Sequence, residues 1–126
     1  MNIGIDFRSI IAAKRFPSQI AAELEDFAQR TLTQPQRTVR RKRIVGKKTI
    51  EARLYGLSAA ISILLKLGFK VHSLRNVGEK HIEALHAAWV EKDGPYTLSP
   101  GRVANLNCYL RLLFNHHFGK HDLLRT

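Results

Sequence analysis

Apolar residues recur every three or four positions through much of this chain, which is the spacing of an α-helix. The clearest stripe of apolar positions comprises Ile50, Leu54, Leu57, Ile61, Leu64 and Leu65. Thr49 can cap this helix by accepting a backbone hydrogen bond, and Gly68 can adopt the left-handed conformation that ends one. The pattern therefore predicts a helix from about Ile50 to Leu67.

Shorter stripes predict helices on either side of this one. A weak signal covers Arg8 to Lys14, and a stronger one runs from Ser18 to about Thr31. A third helix is expected after Asn76, because Asn76 and Glu79 have the spacing of a capping box. The apolar positions of the two stronger stripes are Ile20, Leu24, Phe27 and Thr31 in the first, and Ile82, Leu85, Trp89 and Val90 in the second.

The last predicted helix has the strongest start signal. Ser99 is the expected N-cap, and Pro100 occupies the first helical position, where its missing N–H costs nothing. Gly119 ends the helix. Its apolar face comprises Val103, Leu106, Leu110, Leu113, Phe114 and Phe118.

Residues 33–48 show neither helical nor alternating periodicity, and they combine Pro35, Gly46 and clustered like charges. We predict that they form an exposed linker or arm. No strand is expected, because alternation of polar and apolar residues never persists. The predicted fold class is all-α, with four main helices joined by connections short enough for a compact bundle.

Length and composition are those of one globular domain of 126 residues. The single cysteine, Cys108, excludes an intrachain disulfide and a zinc site made of several cysteines. The N-terminus lacks the apolar segment of a signal peptide, and the most apolar segment, Leu57 to Phe69, is interrupted by Lys66 and too short for a bilayer. We therefore expect a soluble, cytoplasmic protein without a cofactor.

Positive charge is concentrated between Arg37 and Arg53, where eight basic residues and one acidic residue, Glu51, carry +7 of the net charge of +11. The basic residues are Arg37, Arg40, Arg41, Lys42, Arg43, Lys47, Lys48 and Arg53. Such a cluster favours a polyphosphate partner, because each neutralised phosphate releases condensed counterions. We predict double-stranded DNA as the partner. A solvated linker and an anionic membrane surface are the alternatives.

With the helices in place, the segment from Thr49 to Lys120 resembles the N-terminal, SAM-like core-binding domain of phage-type integrases, the tyrosine recombinases. The matching motifs, in the family's order, are Leu67-Gly68-Phe69, Leu74, Lys80-His81-Ile82, Leu85, Trp89, Leu98-Ser99, Leu110-Arg111 and Gly119-Lys120. The resemblance implies a compact four- to five-helix orthogonal bundle. It also implies a domain that binds DNA and helps to clamp the recombination site during integration.

The same resemblance divides the chain into an N-terminal helical extension with the basic arm (1–48), a core-binding domain (49–120) and the start of a linker (121–126). Tyrosine recombinases cleave DNA with a tyrosine nucleophile on a further, C-terminal domain, for which this sequence leaves no room. We therefore expect no catalysis by this chain. It would be a fragment of a longer recombinase or a catalytically silent relative, with other recombinase subunits as partners.

The last helix departs from the family at two places. It opens with Ser99-Pro100-Gly101 instead of Thr and a β-branched residue, and Leu106 follows Asn105 where a basic residue is usual. Arg102 and Asn105 nevertheless lie three apart near its start, where recognition helices present side chains to base edges. Arg pairs with guanine and Asn with adenine. An ordinary exposed polar face is an equally good interpretation of this pair.

Other reactive residues are expected to be structural. The tyrosines at 55, 96 and 109 lack an Arg/His set that would support a nucleophile, and the six histidines lack the ligand spacing of a zinc site. His81 is expected to cap or pack early in its helix, and Trp89 to lie in the core.

Two rival functions remain at this point. One is a protein–protein interaction module of a recombination complex, in which the basic arm would be incidental. The other is a standalone helical DNA-binding regulator, although no tight turn joins two helices in the manner of a helix-turn-helix.

Overall fold

A computed structural model of the chain describes residues 5–32, 46–120 and 123–124, together with the backbone at 36–37 and 42–43. The predicted all-α class is confirmed. The α-helices are α1 (Phe7–Ala12), α2 (Ser18–Phe27), α3 (Lys47–Lys66), α4 (Glu79–Val90) and α5 (Pro100–Leu110). The π-helical turns Ala28–Leu32 and Arg111–His117 continue α2 and α5, and a 3₁₀ turn, Leu74–Asn76, precedes α4.

Helix α3 is central to the bundle, because it contacts α1, α4 and α5. Its predicted stripe is confirmed, with five of the six positions buried and Leu65 partly buried. Large side chains from the rest of the chain complete the core, and the fully buried ones include Ile20, Leu24, Phe27, Leu32, Leu74, Leu85, Trp89, Leu110, Leu113 and Phe114. Burial of each contributes roughly 1.5–3 kcal/mol, so the core is the main source of stability.

Helix α3 begins at Lys47, and the predicted N-cap at Thr49 is wrong. Gly46 is the N-cap, with an extended backbone, and its carbonyl accepts a hydrogen bond from the Ile50 N–H at 3.1 Å. The first turn is therefore formed before Thr49 is reached. Two lysines in the first turn oppose the helix dipole, which is why the sequence does not signal this start.

Helix α4 begins at Glu79 with Gly78 as its N-cap, so the capping box predicted at Asn76 is wrong. Asn76 belongs to the preceding 3₁₀ turn. The ring nitrogen Nδ1 of His81 accepts a hydrogen bond from the Gly78 N–H at 2.8 Å, which confirms the predicted capping role of this histidine. The apolar stripe of α4 is correct except at Val90, which is 70% exposed.

The predicted start of α5 is confirmed. Ser99 Oγ accepts a hydrogen bond from the Arg102 N–H at 3.3 Å, and Pro100 is the first helical residue. Past Leu110 the helix widens into its π-helical turn. That turn ends before Gly119, whose φ is 71°. Four positions of the apolar face are buried, Leu106, Leu110, Leu113 and Phe114, whereas Val103 and Phe118 are partly buried.

The expectation that the chain has no strands is wrong at one place in the arm. Strand β1 (Gln36–Arg37) pairs antiparallel with β2 (Lys42–Arg43), in a register that sets Gln36 opposite Arg43 and Arg37 opposite Lys42. Strands of two residues are too short to produce an alternating pattern, so the sequence does not reveal them. Three residues separate β2 from α3.

Polar contacts fasten α2 and its π-helical turn to distant parts of the chain. The buried carboxylate of Glu23 accepts hydrogen bonds from Ser73 Oγ at 2.6 Å and from the Leu74 N–H at 2.7 Å. Thr31 Oγ1 is 2.7 Å from His117 Nδ1, and His117 Nε2 is 3.5 Å from Asp26. These contacts fix the end of α2 against the end of the last helix.

Stability is expected to fall as the solution is acidified below neutrality. Burial lowers the pKa of His81 and of His117 in the folded chain. The unfolded chain therefore binds more protons below the ordinary histidine pKa of about 6.5, and the stabilising contribution present above that pH is lost as the pH falls. Urea unfolding should show a lower midpoint at about pH 5 than at about pH 7.5.

The variant His117→Gln should lose less stability over the same pH range than the parent chain, because one of the two groups has been removed. His72→Gln is the matched control, since His72 is exposed. An equal loss in the parent chain and in His117→Gln would contradict the assignment.

Candidate nucleic-acid interface

The predicted site residues fall into three groups in the structure. Arg40 and Arg41 lie outside the described residues. The backbone of Arg37 is in β1, and that of Lys42 and Arg43 is in β2. The remaining five lie on two helices: Lys47, Lys48 and Arg53 on α3, and Arg102 and Asn105 on α5.

Helices α3 and α5 pack against each other and carry those five residues. We call these residues, together with Tyr109, the α3–α5 surface, and define it as Lys47, Lys48, Arg53, Arg102, Asn105 and Tyr109. Lys47, Lys48, Arg102 and Asn105 are exposed, and the other two are partly buried. With a rise of about 1.5 Å per residue, each helix contributes a stretch of roughly 10 Å.

Tyr109 joins this surface through a contact that the sequence analysis missed. The guanidinium carbon of Arg53 lies 5.9 Å from the centroid of the Tyr109 ring, within the range of a cation–π interaction. Tyr109 follows Arg102 by seven residues and Asn105 by four, so the three share one face of α5. From the sequence, that spacing indicates that Tyr109 lies on the same face of α5 as the two candidate DNA-binding residues. It does not indicate that Tyr109 contacts α3.

A single glycine allows α3 and α5 to approach this closely. A Cβ atom at Gly56 would lie 2.9 Å from Leu106 Cδ2 and 3.4 Å from the Tyr109 ring. Gly56 is buried and lies one turn after Arg53. The absence of a side chain at Gly56 therefore sets the distance at which Arg53 and Tyr109 meet.

Acidic residues neutralise the cations of the first two helices but not those of the α3–α5 surface. Ion pairs join Arg8 to Glu25 at 2.8 Å and Arg30 to Asp26 at 3.3 Å. Within the described ranges, none of the basic residues on α3 or α5 forms a salt bridge. The sequence explains the difference, because α5 and its π-helical turn contain no acidic residue and α3 contains only Glu51.

Other polar and reactive groups are used in internal contacts. His86 Nε2 is 2.7 Å from Asn107 Oδ1, and the exposed Cys108 Sγ accepts a hydrogen bond from Arg111 Nη2 at 3.3 Å. Lys120 Nζ donates to the carbonyls of Arg75 and Val77, which ties the end of the last helix to the 3₁₀ turn. In the part of the chain that the structure describes, no three His, Cys, Asp or Glu side chains are grouped as metal ligands.

Comparisons of the chain with protein-family models, with curated proteins and with solved structures gave no match. Among the described helices, none has the length and apolar character needed to cross a bilayer. The function is therefore inferred from the charges, contacts and exposure of the chain's own residues.

Introducing a side chain at Gly56 should force the two helices apart. We expect Gly56→Val to lower the free energy of unfolding by about 1–3 kcal/mol, as overpacking of a filled interface does. Chemical denaturation measures the change. Ala52→Val is the control on an exposed position of the same helix. Helix propensity alone would penalise only the control, because valine ranks below alanine but above glycine. A larger loss for Ala52→Val would contradict the close contact at Gly56.

Proposed function

We propose that this chain is a helical module that binds double-stranded DNA. The observation that carries the proposal is the α3–α5 surface, whose exposed cations have no carboxylate partner among the described residues. The chain connects this surface to the basic arm through Gly46. Together, the arm and the first turns of α3 carry +7 of the chain's net charge of +11.

Phosphate contacts supply most of the affinity in this proposal. Lysines and arginines that neutralise phosphates release counterions, and the resulting entropy gain is insensitive to base sequence. The strand pair of the arm supports the proposal, because a two-stranded ribbon has a width that the major groove admits. The arm would therefore bind along the duplex, and α3 would contact the sugar–phosphate backbone of the DNA.

Arg102 and Asn105 are the residues to which we assign base contacts. Both are exposed in the first turns of α5, beside the capped N-terminus at Ser99. Recognition helices contact bases with residues at such positions, and phosphate contacts fix their register on the duplex. Gly101 adds no side chain that would hinder a close approach.

The biological setting that we propose is site-specific recombination, with the chain acting as the core-binding part of a phage-type integrase. Support comes from the resemblance of residues 49–120 to the core-binding domain of that family, and from the all-α architecture. The glycines that the resemblance sets at helix ends, Gly68 and Gly119, have positive φ values of 99° and 71°. No DNA cleavage is assigned to this chain, and further recombinase subunits would be its protein partners.

A protein–protein interaction module is the second candidate, and one surface favours it. Near the C-terminal end of α3, a shallow and mainly apolar groove is lined by Leu67, Phe69, Ala84, Ala87, Ala88, Val90 and Glu91. Leu67 and Val90 are exposed large apolar side chains. This groove lies about 30 Å along α3 from the lysines of its first turn, given the helix rise. The two surfaces could therefore serve different partners.

The proposal is tested by titrating a fluorescent duplex with the chain at several salt concentrations and following anisotropy. Several phosphate contacts predict that the logarithm of the affinity falls linearly with the logarithm of salt, by about 0.9 per contact. Charge reversal at Arg40, Arg41 and Arg43 should weaken binding to all duplex sequences alike. Arg102→Ala should instead weaken binding most at the preferred sequence.

The matched control reverses three exposed lysines elsewhere, Lys14, Lys70 and Lys92, so that the net charge changes by the same amount. It should bind more tightly than the arm variant. A flat salt response, or no binding at low salt, would contradict DNA binding and favour the interaction module. Equal losses in the arm variant and the control would mean that the total charge, and not its location, drives binding.

A further inference from the structure

Arg53 differs from the other cations of the α3–α5 surface in being held in place. It is partly buried, whereas Lys47, Lys48 and Arg102 are exposed. Its guanidinium group lies over the ring of Tyr109, which packs against the hydrophobic core. In the described residues Arg53 has no carboxylate partner. An aromatic ring orients a guanidinium group but does not cancel its charge.

We propose that Arg53 binds a single phosphodiester group of duplex DNA and that Tyr109 is the residue that positions it. This inference rests on the proposed function and deepens it, because it assigns one phosphate contact to one preordered side chain. The contact would lie at the junction of α3 and α5, between the arm and the start of α5.

The chemistry of the pair favours phosphate over a base edge. The cation–π contact engages the guanidinium group through its charge and leaves its N–H donors available to another partner. The planar set of donors matches two phosphate oxygens, and such charge-assisted pairs are about twice as strong as neutral hydrogen bonds. An arginine that is held beside a tyrosine ring would give up that contact if it extended into a groove to reach a base.

Preordering explains why the ring matters to affinity. A free arginine side chain loses about 2 kcal/mol of rotamer entropy when it is fixed, and part of that cost is already met by the contact with Tyr109. Removing part of the hydration shell of an unpaired cation is unfavourable, and a phosphate would offset this cost on binding. The contact distance itself depends on Gly56, which keeps Tyr109 within reach of Arg53.

The test compares salt dependences of duplex binding, because charge and positioning affect them differently. Arg53→Ala should reduce affinity about tenfold at a fixed, moderate salt concentration, and should reduce the log–log slope by about 0.9. Tyr109→Leu keeps the charge, so the slope should remain that of the parent chain while affinity falls about threefold at every salt concentration. Tyr109→Phe keeps the ring and should bind like the parent chain.

Two controls separate these effects from altered folding and from total charge. Lys66→Ala removes an exposed cation at the far end of α3 and should leave the slope unchanged. Urea unfolding of each variant verifies that the bundle is folded at the temperature of the assay. For a variant that is not folded, Arg53→Gln, which also removes the charge, replaces Arg53→Ala, and Tyr109→Met replaces Tyr109→Leu. Arg53→Lys should lower affinity with an unchanged slope, because it keeps the charge without the planar fork.

The outcomes distinguish this inference from the proposed function. A steep salt slope in the parent chain together with an unchanged slope in Arg53→Ala would overturn the phosphate contact at Arg53 and leave DNA binding standing. A loss of affinity in Tyr109→Phe equal to that in Tyr109→Leu would overturn the positioning role, because keeping the aromatic ring would then preserve no affinity. Absence of duplex binding by the parent chain would overturn both.

Discussion

The contact of α3 with α5 at Gly56 is the constraint on which the rest of the candidate site depends. Two helices can pack this closely only where one of them lacks a side chain, and here a Cβ would meet Leu106 and Tyr109. The same contact serves two purposes. It closes the hydrophobic core on one side, through Leu106, and it brings Tyr109 under Arg53 at the rim of the core. Packing and electrostatics are therefore coupled at one position.

Charge is distributed unevenly between the two halves of the bundle. In α1 and α2, carboxylates form ion pairs or accept internal hydrogen bonds, and the buried Glu23 fastens α2 to the 3₁₀ turn at Leu74. Helix α5 has no acidic residue with which its cations could pair. Exposed intramolecular ion pairs contribute little stability. The main effect of the acidic residues of α1 and α2 is therefore to hold these helices against the rest of the bundle. Among the described residues, the cations of α3 and α5 are left without a carboxylate partner.

Helix α3 carries different chemistry at its two ends. Its first turn contains two lysines, which oppose the helix dipole and would be unfavourable in the absence of an anion nearby. Its last turn leads to Leu67 and Phe69, beside an apolar groove against α4. Burial of the central stripe fixes α3 in the core, so both ends are held rigidly. A charged partner and an apolar partner would thus be kept apart by the length of the helix.

The sequence by itself determined the all-α class, the buried stripes and the capped start of α5, because helical periodicity and capping act over three or four residues. It also located the basic segment. It did not determine the true starts of α3 and α4, where the caps are glycines without a side-chain oxygen, Gly46 and Gly78. It also did not reveal the two-residue strands. Only the tertiary structure decided that Arg53 meets Tyr109 across Gly56. Contacts between residues about fifty positions apart depend on how helices pack, which local patterns do not encode.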